Sequence, residues 1–273
     1  SQINLLLDTV LASLLPTGSV SWLYYSDRLA ELPLGVFGIA IATVILPGLS
    51  RQHTSASAEK FSGTLDWALR LILLIAIPAA IALVILAEPI LLALFQYGKT
   101  TAADVAMSAL SLRAYALGLV AFMLIKVFAP GYFARQDMKT PVKIGVIAMV
   151  SNMVLNLLFV VPLHFYWQVG HVGLALATSV AAFLNAFLLW RGLRRQGVYF
   201  PQAGWVRFAL NLMLANTIMA AVLLAALGQL GDVAAQLWWQ RSFGVAALCG
   251  VGLLTYVLVL ILLGVRPRHL RPV

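Results

Sequence analysis

Three charged residues stand close together inside one long apolar segment. Asp27, Arg28 and Glu31 lie within the run YYSDRLAELPLGVFGIAIATVILP, which is otherwise apolar enough to cross a bilayer. A charged side chain at membrane depth costs about 3 kcal/mol, so such groups usually face a water-filled cavity or a partner. Buried charges of this kind mark pathways for substrates or ions. The first hypothesis is therefore transport.

The same segment places small and charged residues on one predicted helix face. Three- and four-residue steps relate the members of this stripe, which are Arg28, Glu31, Gly35, Gly38 and Ala42. We predict that the stripe lines a cavity, with charge at its outer end. The alternative is a local Arg28–Glu31 pair without a substrate role, because intramembrane charges often pair. Asp27 lies about 100° around the helix from Arg28, which favours a role as partner of these groups.

A second group of polar residues is spread over three apolar segments. Asp8 lies in the first segment, Asn152 and Asn156 are one helical turn apart in another, and Thr178 lies in the next. Carboxylate, amide and hydroxyl oxygens are ligands that a hard cation such as Na⁺ accepts. Interhelical hydrogen bonding, which is common in membrane bundles, is the alternative, and spacing alone favours it.

Two further basic residues fall inside one apolar segment. Lys126 is close enough to the predicted cytoplasmic end for its ammonium group to extend to the interface. Arg113 lies too deep in the segment for that explanation.

Other chemistry has little support in the sequence. Cys249 is the single cysteine, and the four histidines lie far apart, so no ligand spacing for a metal or cofactor is present. No long loop carries paired carboxylates for acid, base or metal catalysis. We therefore predict that the protein is not an enzyme and has no cofactor other than, as a hypothesis, Na⁺.

Composition indicates an integral membrane protein. Hydrophobic residues make up 62% of the chain, charged residues make up 10%, and the mean hydropathy is +0.97. The fold class predicted is an all-α bundle of about eight transmembrane helices. The apolar stretches fall at approximately 3–15, 19–49, 62–86, 103–129, 140–162, 172–190, 205–228 and 242–264.

Two of these stretches are unusual in length. The first is short and begins within an apolar pattern, so we interpret the N-terminus as a cut through a helix. The second would be about 46 Å long as a straight helix, longer than the hydrocarbon core. We expect a bend near Pro33, Gly35 and Gly38.

Basic residues in the connecting segments predict the orientation. The positive-inside rule assigns the basic end of the bundle to the cytoplasm, together with the C-terminal tail, and the loops 96–104 and 228–240 to the exterior. The net charge of +9 is dispersed over loops, so contact with anionic lipid fits better than binding of nucleic acid. Assigned to the cytoplasmic side are Arg51, Lys60, Arg135, Lys139, Lys143, Arg191, Arg194, Arg195, Arg207, Arg266, Arg268 and Arg271, against Lys99 and Arg241 outside.

Two runs carry a resemblance to a known family. DRLAELPLGVFGIAIATVILPGLSR at 27–51 and KVFAPGYFARQDMKTPVK at 126–143 resemble the MurJ (MviN) lipid II flippases of the multidrug/oligosaccharidyl-lipid/polysaccharide exporter superfamily. The resemblance covers the whole chain. It aligns the chain with the second half of a fourteen-helix protein, from the seventh helix onward.

The resemblance implies a domain organisation and a function. Residues 1–195 would form the second six-helix lobe, with its first helix truncated, and 196–273 two additional helices with a groove for a polyprenyl tail and a cytoplasmic tail. Two lobes would move lipid II from the cytoplasmic to the periplasmic leaflet of the bacterial inner membrane by alternating access, in peptidoglycan and cell-wall biogenesis and hence cell shape. Partners would be lipid II, membrane lipids and the missing first lobe. Arg28 matches a cavity arginine of the family, and Glu31 a neighbouring acid.

The resemblance also bears on the cation hypothesis. It places Asp8, Asn152, Asn156 and Thr178 where the family's sodium ligands are expected. The position of Asn156 can carry an acid in the family, so this site would have one negative charge fewer and hold Na⁺ less well. Coupling to membrane potential stays open.

Two other functions stay open at this stage. A relative in the same superfamily could export another lipid-linked glycan or a drug cation, and a membrane scaffold would transport nothing. An acidic cavity would favour a drug exporter, whereas Arg28 favours an anionic head group. A scaffold would need no charged stripe within a span.

Overall fold

In the residues that the computed structural model of the chain describes, all regular secondary structure is helical. It describes residues 2–54, 57–98, 100–229, 231 and 236–264, without the side chains of residues 2–5, 53 and 54. The histidine and arginines predicted in the C-terminal tail, Lys99 and the side chain of His53 lie outside the described residues. The helices in chain order are α1 (Gln2–Ser13), α2 (Ser19–Pro33), α3 (Ile39–Thr54), α4 (Ala58–Phe95), α5 (Ala102–Phe133), α6 (Lys139–Trp167), α7 (Gly170–Arg195), α8 (Trp205–Gln229) and α9 (Trp238–Leu262).

The predicted all-α membrane fold is confirmed. Within the described ranges, seven helical stretches are long and apolar enough to cross a bilayer, and the first of them runs continuously from Ser19 to Gln52. They correspond to the second to eighth apolar stretches of the sequence. The first stretch forms the short helix α1, whose 12 residues are fewer than the roughly 20 that a span requires.

A π-helical turn joins α2 to α3 at the predicted irregularity. Pro33 has no N–H to donate to the carbonyl four residues earlier, and the chain widens into a π turn over Leu34–Gly38. Because a π turn holds about one residue more than an α turn, the residues after it point in different directions from those of a regular α-helix. The predicted stripe is therefore wrong at its lower end, because Gly38 is buried and the exposed face continues through Ile39 and Thr43 instead.

Small residues allow α5, α6 and α7 to pack closely. A Cβ on Gly118 of α5 would lie 2.8 Å from the Cα of Ser179, and one on Gly173 of α7 would lie 2.9 Å from the backbone of Phe159. The Ser179 hydroxyl donates a 2.7 Å hydrogen bond to the carbonyl of Ala114. These contacts are the close backbone approaches through which membrane helices associate.

Two side chains donate to backbone carbonyls in the middle of α4. Pro78 leaves the carbonyl of Leu74 without its usual helical donor, and the hydroxyl of Tyr256 on α9 donates to it at 2.8 Å. Arg113 Nε donates to the carbonyl of Val84 at 3.3 Å. The deep arginine of the sequence therefore binds α4 rather than extending to the interface.

The pair α8–α9 packs along α4 with its own apolar cluster. Leu74 and Leu86 of α4 meet Leu212 and Met219 of α8 and Leu248 of α9. The opposite faces of α8 and α9 are rich in exposed apolar side chains, as expected for lipid contact. The pair thus has one face packed on α4 and one exposed apolar face.

A buried carboxylate fixes the start of α8 to α4. We call this cluster the Asp66 joint. Its centre, Asp66 of α4, is 1% exposed, forms a 2.9 Å ion pair with Arg70 and accepts three more hydrogen bonds. Burial and the adjacent Asp66 raise the pKa of Tyr199 above its ordinary value, so its hydroxyl stays a donor. Asp66 Oδ1 accepts from Tyr199 Oη at 2.9 Å, Gln202 N at 3.2 Å and Trp205 Nε1 at 2.7 Å.

The loops fall into two groups at opposite ends of the bundle. At the basic end, Arg135 Nη1 donates to Gln196 Oε1 at 2.6 Å, beside a pocket of about 230 Å³ that Gln52 and Phe61 help to line. At the other end, Trp22 Nε1 donates to Asp104 Oδ1 at 3.0 Å. This grouping matches the predicted topology, while the side of the membrane that each end faces stays a prediction.

Candidate functional site

Helix α2 packs against α5 through one face and leaves its charged face open. Leu23, Ser26 and Leu29 are buried, and the Ser26 hydroxyl donates to the carbonyl of Ser108 on α5 at 2.7 Å. Arg28 and Glu31 lie on the exposed side of the helix. The apolar contacts with α5 therefore determine which way the charges point.

Arg28 and Glu31 form an ion pair that is still widely accessible. Arg28 Nη1 lies 2.9 Å from Glu31 Oε2, and the two side chains are 56% and 51% exposed. The guanidinium carbon lies 5.1 Å from the ring centre of Tyr24, a cation–π contact. The predicted pairing and the predicted exposure therefore occur together.

The pair leaves guanidinium donors available to an anion. Arg28 is nine residues into α2, about 13 Å along its axis. Glu31 engages one of the five guanidinium donors, which leaves a fork that matches carboxylate or phosphate oxygens. Charges at this depth need water or a partner on their open side. The arrangement suits a hydrated cavity that admits an anionic head group.

Asp27 lies between this charged pair and the second candidate site. Its side chain is partly buried and makes no hydrogen bond or ion pair with any other described residue. It is within electrostatic range of Arg28, Glu31 and Asp8. The buried Tyr115 of α5 is in range of the three acids as well. Nothing in the sequence marks Tyr115, because an aromatic residue in an apolar helix gives no signal until its neighbours are known.

The four residues proposed to bind a cation meet at the contact of α1, α6 and α7. Asn156 Nδ2 donates to Asp8 Oδ1 at 2.7 Å and to Asn152 Oδ1 at 3.4 Å. Asn152 Nδ2 donates to Thr178 Oγ1 at 3.3 Å. Asp8 and Thr178 are partly buried, and both asparagines are buried. The structure therefore shows the interhelical hydrogen bonding that spacing favoured, and binding of a cation by these residues stays a prediction.

The atoms of this cluster are compatible with a hard cation. Asn156 Oδ1 is buried and has no hydrogen-bond partner among the described residues. Rotating that amide by 180° would place this oxygen beside the Asp8 carboxylate, where the amide nitrogen now lies. Carboxylate, amide and hydroxyl oxygens would then surround one point. The described part of the chain has no cluster of three or more His, Cys, Asp or Glu residues that would suit a transition metal.

Comparison with known proteins identifies a matching family. The family model of the lipid II flippase MurJ matches residues 1–237. The probable lipid II flippase MurJ of Vibrio cholerae serotype O1 is 52% identical over 274 residues, covering 99% of this chain and 50% of that protein. The corresponding Haemophilus influenzae protein is 49% identical, with 99% and 53% covered.

A solved structure shows the same relation. A lipid II flippase MurJ in an inward closed conformation superposes with a TM-score of 0.74 at 27% identity, covering 94% of this chain and 50% of the other. The chain thus spans about half the length of the relatives it matches. The resemblance read from 27–51 and 126–143 is confirmed. The chain belongs to the MurJ family of lipid II flippases.

Proposed function

We propose that this chain is the C-terminal part of a flippase that moves lipid II from the cytoplasmic to the periplasmic leaflet by alternating access. Family membership supports the substrate class. The observation that carries the proposal is the accessible Arg28–Glu31 pair within a membrane span. The guanidinium donors suit an anionic head group, whereas a scaffold has no need of an open charge pair.

The geometry supplies a way to bind and release a diphosphate. Glu31 holds the Arg28 guanidinium in a fixed orientation, and a diphosphate competes with Glu31 for its donors. Arg28 is opposed by two acids, Asp27 and Glu31, so this patch alone carries a net negative charge. Tight binding therefore requires cations from elsewhere, and the six-helix lobe expected to precede this chain would supply some of them.

Sodium fits the proposal as a coupling ion. A Na⁺ ion held by Asp8, Asn152, Asn156 and Thr178 would neutralise Asp8 and hold α1 against α6 and α7. Asp27 lies within electrostatic range of both Asp8 and the Arg28–Glu31 pair. Ion binding and head-group binding would thus influence each other. No other cofactor is proposed, and no chemical reaction on the substrate.

The proposal includes a location and a topology. The protein would lie in the bacterial inner membrane with its C-terminus in the cytoplasm, and the lipid-facing pair α8–α9 would guide the polyprenyl tail. Cysteines at Ser57, Gln136 and Arg194, introduced after Cys249→Ser, should resist an impermeant thiol reagent in intact cells. Cysteines at Thr100 and Gln236 should react. The reverse labelling pattern would overturn this topology.

Complementation of a flippase-depleted strain tests the proposed function. The full-length protein should restore growth to a strain depleted of its own lipid II flippase, and lipid II should then become accessible to an impermeant lipid II-degrading enzyme. An inserted, stable protein that restores neither growth nor accessibility would contradict the proposal. An unrelated exporter of the same superfamily, expressed at the same level, is the control.

A further inference from the structure

Arg113 lies on the side of α5 that faces away from the charged face of α2. Tyr115 of α5 is within electrostatic range of the acids of α2, and Arg113 lies about 200° around the helix from Tyr115. Arg113 shares its own face with Leu110 and Leu117, which are 37% and 56% exposed. Arg113 therefore belongs to the lipid-facing surface of the bundle and not to the cavity.

The Arg113 guanidinium uses few of its donors within the protein. Its Nε donates to the Val84 carbonyl of α4 at 3.3 Å, which occupies one of five N–H donors. Nη1 and Nη2 have no hydrogen-bond partner among the described residues, and neither atom is buried. A role confined to joining α4 and α5 would leave most of this charge unsatisfied within a span, which is costly.

A carboxylate lies beside this guanidinium. The Val84 carbonyl is the acceptor that a regular helix provides for the N–H of Glu88, so the Arg113 group stands next to the base of Glu88. The Glu88 side chain is exposed and makes no hydrogen bond or ion pair within the described ranges. The two opposite charges are thus neighbours that do not form an ion pair with each other.

Both charges lie near one end of the span. Arg113 is eleven residues from the start of α5, about 16 Å, and the 32 residues of α5 extend over about 48 Å. A hydrocarbon core of about 30 Å leaves about 9 Å of this helix projecting at each end, so Arg113 lies about 7 Å inside the boundary. Extended arginine side chains and local thinning of the bilayer bring head groups to charges at such depths.

The order of the two charges matches a zwitterionic head group. Glu88 is seven residues from the end of α4, about 10 Å, so it lies closer to the membrane surface than Arg113 does. In a phospholipid with an ethanolamine head group, the phosphodiester is attached to the glycerol and the ammonium group lies beyond it. A cation below an anion is the complement of this arrangement, whereas a lipid with a phosphate alone would meet repulsion from Glu88.

We propose that Arg113 and Glu88 bind the head group of a zwitterionic phospholipid in the leaflet next to the α4–α5 loop. The phosphodiester accepts hydrogen bonds from the Arg113 guanidinium, and the ammonium group donates to the Glu88 carboxylate. Both charges of the protein are then satisfied within the span. The inference goes beyond transport of lipid II and does not depend on it, because the site lies on the opposite side of α5 from the charged pair of α2.

Binding of defined lipids to the purified full-length protein tests the site. Native mass spectrometry should show phosphatidylethanolamine binding about tenfold more tightly than phosphatidylglycerol, which lacks the ammonium group. In Glu88→Gln, which keeps the size of an exposed side chain, this difference should disappear at unchanged thermal stability. Arg113→Met should weaken binding of both lipids, and Arg113→Lys should restore part of it. Glu59→Gln, at an exposed acid near the other end of α4, should bind as wild type does.

Three outcomes would overturn the proposal. The first is equal binding of the two lipids to the wild type, or a preference that persists in Glu88→Gln. The second is a lower melting temperature of Glu88→Gln without any lipid preference in the wild type, which would show that Glu88 and Arg113 satisfy each other. The third is a dimer of the wild type that dissociates in Glu88→Gln, which would make a neighbouring membrane helix the partner. If Arg113→Met does not fold, Glu88→Gln alone decides among these outcomes.

Discussion

Two ion pairs of equal length lie in membrane helices of this protein, in opposite surroundings. Arg28 and Glu31 are 2.9 Å apart and about half exposed. Asp66 and Arg70 are also 2.9 Å apart, but the Asp66 side chain is 1% exposed and that of Arg70 is 26% exposed. The charge chemistry is the same in both pairs. What differs is how many of the polar atoms already have partners.

The two pairs differ in how many of their hydrogen-bonding positions are occupied. A charged group with every position occupied supports the fold, whereas one with open positions can bind a ligand. Asp66 accepts from Arg70 and from three groups of the segment that leads into α8, so little of its bonding capacity remains. Arg28 keeps most of its donors on an open face. The buried pair stabilises the fold, and the open pair is suited to a ligand.

The largest effect expected from this comparison is on growth. Arg28→Ala should abolish complementation of a flippase-depleted strain, because the guanidinium fork is lost, while thermal stability in detergent changes little. Arg28→Lys should restore growth only in part, since an ammonium group cannot donate in bidentate fashion. Arg207→Ala, at an exposed arginine of α8, is the matched control. Wild-type growth with Arg28→Ala would show that the open Arg28–Glu31 pair is not needed for transport.

Loss of the buried carboxylate should have the largest effect on stability. Asp66→Ala leaves Arg70, the buried Tyr199 hydroxyl and two partly buried N–H donors without their acceptor, which should lower the free energy of unfolding by about 3 kcal/mol. Thermal denaturation of the purified full-length protein measures the change. Glu59→Ala, at an exposed acid of the same helix, should have almost no effect. If the two variants were equally stable, the ion pair and hydrogen bonds of Asp66 would contribute nothing to the free energy of unfolding.

Loss of a hydrogen bond between uncharged groups should lower stability less than loss of the Asp66 carboxylate. Tyr256→Phe removes the donor to the Leu74 carbonyl, whose helical donor is missing because of Pro78. An unsatisfied buried carbonyl costs about 1–3 kcal/mol. The melting temperature should fall accordingly, whereas Tyr166→Phe, at an exposed tyrosine, should leave it unchanged. A melting temperature unaffected by Tyr256→Phe would show that water or backbone relaxation satisfies this carbonyl.

The smallest effect is expected at the candidate sodium site. At ten times its dissociation constant, Na⁺ should stabilise the folded protein by about 1.4 kcal/mol relative to choline at equal ionic strength. Asp8→Asn should remove this increment, because the only formal negative charge of the cluster is lost. Glu59→Ala should preserve it. Stabilisation by Na⁺ that persists in Asp8→Asn would place the ion elsewhere.

The sequence predicted features that depend on local pattern. Apolar length located seven spanning helices. The side chains of Asp8, Asn152, Asn156 and Thr178 meet through the interhelical hydrogen bonds that spacing favoured, and binding of Na⁺ there stays a prediction. The lower part of the Arg28 stripe was wrong because a π turn changes the register, and a regular 3.6-residue period cannot anticipate it. The Asp66 joint was missed because Tyr199 and Trp205 follow Asp66 by more than 130 residues, so only tertiary structure reveals the partnership.

The attachments of α8 and α9 to α4 have a mechanical consequence. Asp66 holds the start of α8, and the Leu74 carbonyl holds Tyr256 of α9, eight residues and about 12 Å further along α4. A single pivot would leave the helix pair free to swing around α4, whereas two separated anchor points fix both its distance and its angle. Helices α8 and α9 should therefore move with α4 as one rigid unit. Any tilt of α4 would then tilt their lipid-facing surface by the same angle.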